Sequence, residues 1–226
     1  MPTLSNAVRA AGATAALSRF VVDARRAQFP REVHTEAMRS IFNGFASALG
    51  GAREATLEHT VAATLPFAGN TQATLVGRRE RMDALNSAFV NAMSMNIHDF
   101  DDTHLRTVIH PTSAIAPALF ALAETRTIAA NDLLHAFALG VEVACRIGNA
   151  VSPGHYSHGW HITSTCGVFG AAAAAGKLLG LNVEQMSWAL GTAATQASGP
   201  TESLGSMAKS VNVGNAARGG LYSALL

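Results

Sequence analysis

The chain has 226 residues, of which 49% are hydrophobic and 14% charged, and its formal net charge is +1 at pH 7. That is ample material for a core, and it provides no field that would draw nucleic acid or an anionic membrane. Aromatics are only 6%, and the apolar content is mostly Ala, Leu and Val with 20 glycines, a composition suited to close helix–helix packing rather than to a β-sandwich.

In chain order the pattern reads as helices. Ser5 is placed to cap a first helix running toward Ala27, a segment broken by Arg9, Arg19 and Asp23 and without the long apolar core of a signal peptide. Pro30 opens a second helix, with Val33, Ala37, Ile41, Phe45 and Ala48 on one face, and Gly50–Gly51 stop it. Pro66 and Gly69 break the next stretch. The basic run GRRER, Gly77 to Arg81, is expected to be a solvated helix start. Met82, Leu85, Phe89, Ala92 and Met93 form one stripe of a further helix. Thr112 or Ser113 is expected to cap the helix that follows, with Pro117 near its first turn. Asn131 is expected to cap another, with Leu134, Phe137, Ala138, Val141, Ala144, Cys145 and Gly148 inward and a Glu142–Arg146 pair on it. A turn-rich loop, SPGHYSHGWH, leads into the alanine-rich helix ending near Leu179. That apolar window is short for a membrane span. Asn182 with Gln185 three residues on is a capping-box pattern. The last segment, GPTESLGSMAKSVNVGNAARGG, is a glycine-rich loop turning into a final helix. The fold expected is all-α.

Three polar groups stand out against this background. HDFDDTHLRTVIH, His98 to His110, holds three of the six aspartates and three of the nine histidines. Its carboxylates have three readings: solvated or capping groups, an acid/base site, or a hard-cation site through Asp99 and Asp101. Next, His155, His158 and His161 recur every third residue beside Pro153, Gly154 and Gly159, which argue against a helix; the spacing is not a strong zinc pattern. Last, the chain has only two lysines, and Lys209 lies in the glycine-rich segment before a helix start, where an ammonium and free backbone N–H groups suit an anion. Together they suggest a pocket for a small polycarboxylate, with an ionisable group near neutrality to move a proton. Cys145 and Cys166 are in no CxxC pair and make no disulfide framework, so a reduced, cytoplasmic chain is expected.

HDFDDTHLRTVIHPTSAIAPALFALAE, AFALGVEVACRIG, GWHITSTCGVFGAAAAAGKLLGL and MAKSVNVGNAARGG resemble, in order and spacing, the MmgE/PrpD family, which includes 2-methylcitrate dehydratase and cis-aconitate decarboxylase. The resemblance is strongest from Asn91 to Gly220. It implies that residues 1–226 form the family's N-terminal helical domain, without the α+β lid domain that completes a cleft in full-length members. It implies a lyase acting on a tri- or dicarboxylic acid by acid/base chemistry, with no iron–sulfur cluster; no metal or other cofactor is expected, because no spacing here is a strong metal signature. It also implies a homodimer. The alternatives it leaves are an epimerase at a carbon next to a carboxylate, or a catalytically incomplete domain that pairs with a lid-bearing partner. Carried over motif by motif, the site residues are Asp99, His110 and His161 as catalytic groups, with Thr103, His161 and Lys209 binding substrate. Asn212 stands where many members have a histidine. One more residue lies between DDT and HP than in some decarboxylases.

Overall fold

The alanine run sets the architecture. In the computed structural model, which describes residues 4–226 and side chains from residue 12 onward, helix α8 (Ile162–Leu179) is buried along almost its whole length. Its Ala and Gly side chains leave room for neighbours to come close. Around it pack α5 (Pro111–Ala123), α6 (Ala130–Val151), α9 (Val183–Gln196) and α10 (Met207–Leu225). Helix α4 (Ala84–Asn96) lies against α5 and α10, and α2 (Arg31–Gly51) covers α4. Helices α1 (Leu4–Asp23), α3 (Ala55–Thr64) and α7 (Gly154–Ser157) are peripheral. The described residues are thus all-α apart from a two-residue antiparallel pair that aligns Ala73 with Met82 and Thr74 with Arg81.

The contacts explain why α8 can be the hub. A methyl group on Gly170 would lie 2.7 Å from the Gly140 carbonyl oxygen of α6, and one on Gly220 of α10 would lie 2.4 Å from the Ala171 methyl. The main apolar cluster runs through Ala114, Ile115, Leu119, Phe137, Ala171, Val213 and Leu221. By length and composition alone α6 and α8 could cross a membrane, but 78% of the α8 window is buried inside this fold.

Several local expectations are corrected. Helix α1 ends at Asp23 rather than near Ala27; the cap expected of Ser5 lies outside the described side chains. Lys177, in the last turn of α8, serves the C-terminus of α1, donating to the carbonyl oxygens of Val21, Val22 and Ala24 at 2.8–2.9 Å. Arg78, in the GRRER run, is no solvated helix start. It sits in the turn between the two short strands with only 3% of its side chain exposed, bonded to Glu58, Glu80 and the Ala52 carbonyl. Helix α5 begins at Pro111, so Thr112 and Ser113 lie inside it and Pro117 falls beyond the first turn. Helix α6 takes its N-cap from Ala129, not Asn131. It also buries a second stripe, with Leu139 and Val143 against Val21, Met186 and Leu190. Val33 on α2 is exposed rather than inward. Residues Gly154–Ser157 make one helical turn despite Pro153 and Gly154. The capping box of Asn182 and Gln185 forms as expected, with both bonds at 3.0 Å, and so does the Glu142–Arg146 pair.

Candidate active site

Three helix N-termini supply the site. His110 is the N-cap of α5, His161 is the N-cap of α8, and Lys209 lies in the first turn of α10 behind the capping Ser206. Unpaired backbone N–H groups and the positive end of the helix dipole favour anions at such ends. Lys209 is therefore helical, not loop-borne as the glycine-rich sequence suggested.

Opposite them stands the Asp/His segment. Helix α4 stops at Asn96, and Asp99 follows in the left-handed region at φ 55°. Only Gly, Asn and Asp tolerate that conformation readily, and it turns the chain back toward the helix ends. The Asn43 amide of α2 donates to the Phe100 carbonyl at 2.9 Å and pins the loop. Asp102 accepts the backbone N–H of Thr112 at 3.2 Å, so it caps α5 in place of the residues expected to do so. Burial, opposed by the bonds from Thr112, raises the pKa of its carboxyl. His104 and Ile109 bridge to close a tight turn, within which the His104 ring meets the Thr107 hydroxyl at 2.7 Å and Val108 takes φ 53°. His110 then donates its backbone N–H to Thr163 of α8 at 3.2 Å, which ties the two helix starts together.

The side chains meet as follows. Lys209 Nζ pairs with Asp99 Oδ1. His110 Nε2 lies 3.7 Å from that same oxygen, and its Nδ1 lies 3.3 Å from Asp101 Oδ1 and 3.4 Å from the Thr103 hydroxyl. Asp101 is fully buried, and the Asn96 amide sits 3.2 and 3.3 Å from its two oxygens. Burial alone would lower the His110 pKa. The Asp101 and Asp99 carboxylates outweigh it, and the ring is held above the usual histidine value.

His161 is 4% exposed and its Nδ1 is buried with no partner in the fold. Burial, reinforced by the charges of Lys209 and His110, lowers its pKa to about 4, so it is a neutral imidazole near pH 7. Its backbone N–H donates to Gly199 at 2.8 Å. Asn212 does not enter this cluster through its amide, which instead donates to the Ser203 hydroxyl at 2.8 Å. His155 and His158 are engaged locally, with Thr165 and Gly154.

Asp99, Asp101 and His110 each offer a ligand atom, all within 4.8 Å of one another, as a divalent cation would require. The Lys209 ammonium already holds Asp99, so a metal would enter against a fixed positive charge.

With this geometry the relatives can be read. The profile of the MmgE/PrpD N-terminal domain matches residues 15–226. The chain belongs to the MmgE/PrpD family. The cis-aconitate decarboxylase of Aspergillus terreus is 33% identical over 222 residues, 95% of this chain and 45% of that protein. Those of Mus musculus and Homo sapiens are each 35% identical over 167 residues, 71% of this chain and 34% of theirs. The chain thus spans less than half the length of these relatives.

Sequence reasoning placed Asp99, Thr103, His110, His161 and Lys209 in the site. It gave no role to Asn96, and it named Asp101 individually only for a cation. The run of carboxylates was visible, but which of them is buried depends on how the loop folds back on α4.

Proposed function

We propose that this protein supplies one wall of a lyase site for a small polycarboxylic acid, with cis-aconitate-type decarboxylation as the first reading and 2-methylcitrate-type dehydration as the second. The observation that supports it is the meeting of Lys209, His110 and Asp99, with three helix N-termini supplying Lys209, His110 and a His161 whose buried Nδ1 has no partner. Such a cluster has cations and N–H groups for carboxylates, and one imidazole biased toward its acid form for a proton.

In the proposed reaction Lys209 leaves Asp99 for a substrate carboxylate, and neutral His161 hydrogen-bonds another. Thr103, exposed beside His110, offers a further donor. Protonated His110 delivers its proton to the double-bond carbon next to a carboxylate. The C–C bond to the departing carboxylate breaks, its electron pair forms the shifted double bond, and CO₂ leaves. His110 then regains a proton from solvent. No step uses a metal or other cofactor. In the dehydration reading the same group would protonate a departing hydroxyl while a base removes the proton alpha to a carboxylate.

We further propose a homodimer in a reducing cytoplasm. Cys145 and Cys166 are both free and buried, and burial pushes their thiols up to about 12 and about 11. They are poor nucleophiles and poor disulfide partners there.

The test is proton NMR of the protein with cis-aconitate and with 2-methylcitrate, following both chemical-shift perturbation and product. Binding of either acid at this cluster with loss of CO₂ or water supports the reading. Binding of neither at millimolar concentration overturns it.

A further inference from the structure

The Asp101 carboxylate has no access to solvent, and among the described residues its ion-pair partner is His110. A buried carboxylate is costly unless hydrogen bonds and an opposite charge surround it. Asn96 supplies one donor to its two oxygens, and His110 Nδ1 faces it at 3.3 Å. His161 of α8 and Lys209 of α10 face the ring as well, and their charged forms oppose its protonation rather than partner its nitrogens. The two other side chains whose oxygens approach those nitrogens differ in kind. Thr103 is exposed, and its hydroxyl can donate or accept, so it imposes no tautomer. Asp99 is half exposed, is held by Lys209, and faces the opposite ring nitrogen, Nε2.

We propose that Asp101, held by Asn96, is the positioning residue of this site: it fixes His110 by Nδ1–H and so presents Nε2, with its proton or its lone pair, to the side where Asp99 and Lys209 lie. This rests on the reading of the cluster as an acid/base site and adds the residue that orients the acid. An ionised carboxylate can only accept, so beside it the neutral ring must carry its hydrogen on Nδ1. Protonation then occurs at Nε2, the nitrogen next to the substrate side. Asp101 touches no reacting atom itself; it acts through His110, and Asn96 acts through Asp101.

The test is ¹H–¹⁵N NMR of the His110 ring in the whole chain, across pH. In the parent protein the neutral ring is expected as the Nδ1–H tautomer, titrating above an ordinary histidine. Asp101→Asn should lower that titration by about 1–3 pH units, the effect of removing one close opposite charge, and should mix the tautomers. Thr103→Val should leave the tautomer unchanged. In turnover of whichever acid proves to be the substrate, Asp101→Asn should lower kcat far more than it changes KM and should shift the pH profile toward acid.

An Nε2–H tautomer in the parent overturns the proposal even where Asp101→Asn fails to fold. So does a folded Asp101→Asn protein whose His110 titration and tautomer match the parent. The ring measurements need no substrate. A protein that passes them but binds no polycarboxylate would overturn the functional reading alone.

Discussion

At the residue scale the site is a contest between burial and charge, and two side chains show opposite outcomes. His161 is depressed to about 4 from an ordinary 6.5, first by burial and then by Lys209 and His110. A histidine whose folded pKa is depressed stabilises the protein above about pH 6.5, and that contribution is lost as pH falls toward about 4. His110 has the opposite sign: its raised pKa contributes stability below the ordinary value and loses it as pH rises through the raised one. The His161→Gln variant should therefore melt with a shallower dependence on pH between about 4 and 6.5 than the parent; matching slopes would show that His161 is not the buried neutral group described here. Lys209 is the second case. Its ammonium is 14% exposed and rests on Asp99. On the proposed reading, Lys209→Ala should remove a charge-assisted contact to substrate worth roughly 1.5–3 kcal/mol, or about ten- to a hundredfold in affinity for a tricarboxylate. Lys209→Arg should restore it only in part, since a broad planar fork does not fit where a compact ammonium sat. Unchanged affinity in Lys209→Ala, measured by calorimetry, would show that the lysine pairs with Asp99 and nothing more.

At the element scale the helices are held by what is missing from their surfaces. On α8 and α10 the glycines are contact points: a methyl on Gly170 would press on a backbone carbonyl, an Ile115 methyl and Ala144, and one on Gly220 on Ala171 and the Val168 carbonyl. Backbone cannot swing aside, so Gly170→Ala and Gly220→Ala should each cost about 1–3 kcal/mol through overpacking. Gly191 in α9 meets nothing within 4 Å. There the same change should add about 0.5–1 kcal/mol by helix propensity alone. Denaturant melts of the three variants check the contrast, and a uniform sign across them would sink the packing argument. The elements themselves were largely legible, because a capping box such as Asn182 and Gln185 is a local signal read within one turn. The start of α5 was not, because its capping group is Asp102, ten positions before the N–H it accepts. Arg78 was misread for the same reason. Its burial depends on Glu58, twenty positions away, closing over it. The site followed this rule too: family motifs carried Asp99, His110, His161 and Lys209, but Asp101 gains its place only when the loop folds back against Asn96.

At the scale of the whole molecule, the site joins parts of the chain that are far apart in sequence. Asp99 and His110 come from the segment between α4 and α5, His161 from the start of α8, and Lys209 from the start of α10. A ligand gripping all three would bind the folded chain and not the unfolded one. It should raise stability by RT ln(1 + [L]/Kd), about 2.7 kcal/mol at a hundred times Kd. A divalent cation should not. The triad of Asp99, Asp101 and His110 has suitable ligand atoms, but Lys209 occupies Asp99, and His110 leans toward its protonated, non-ligating form. Both conditions oppose a metal, which needs a bare carboxylate and a neutral imidazole. We therefore expect melting temperature to rise with added tricarboxylate, and to stay unchanged with a chelator or with magnesium or zinc at stoichiometric amounts. Lys209→Ala should blunt the response to the acid and open the triad to cations, so that magnesium or zinc begins to stabilise the variant where it did not stabilise the parent. A parent protein that carries one stoichiometric metal by elemental analysis and loses stability to chelation would reverse the argument, making the acidic triad the binding element and Lys209 its bystander.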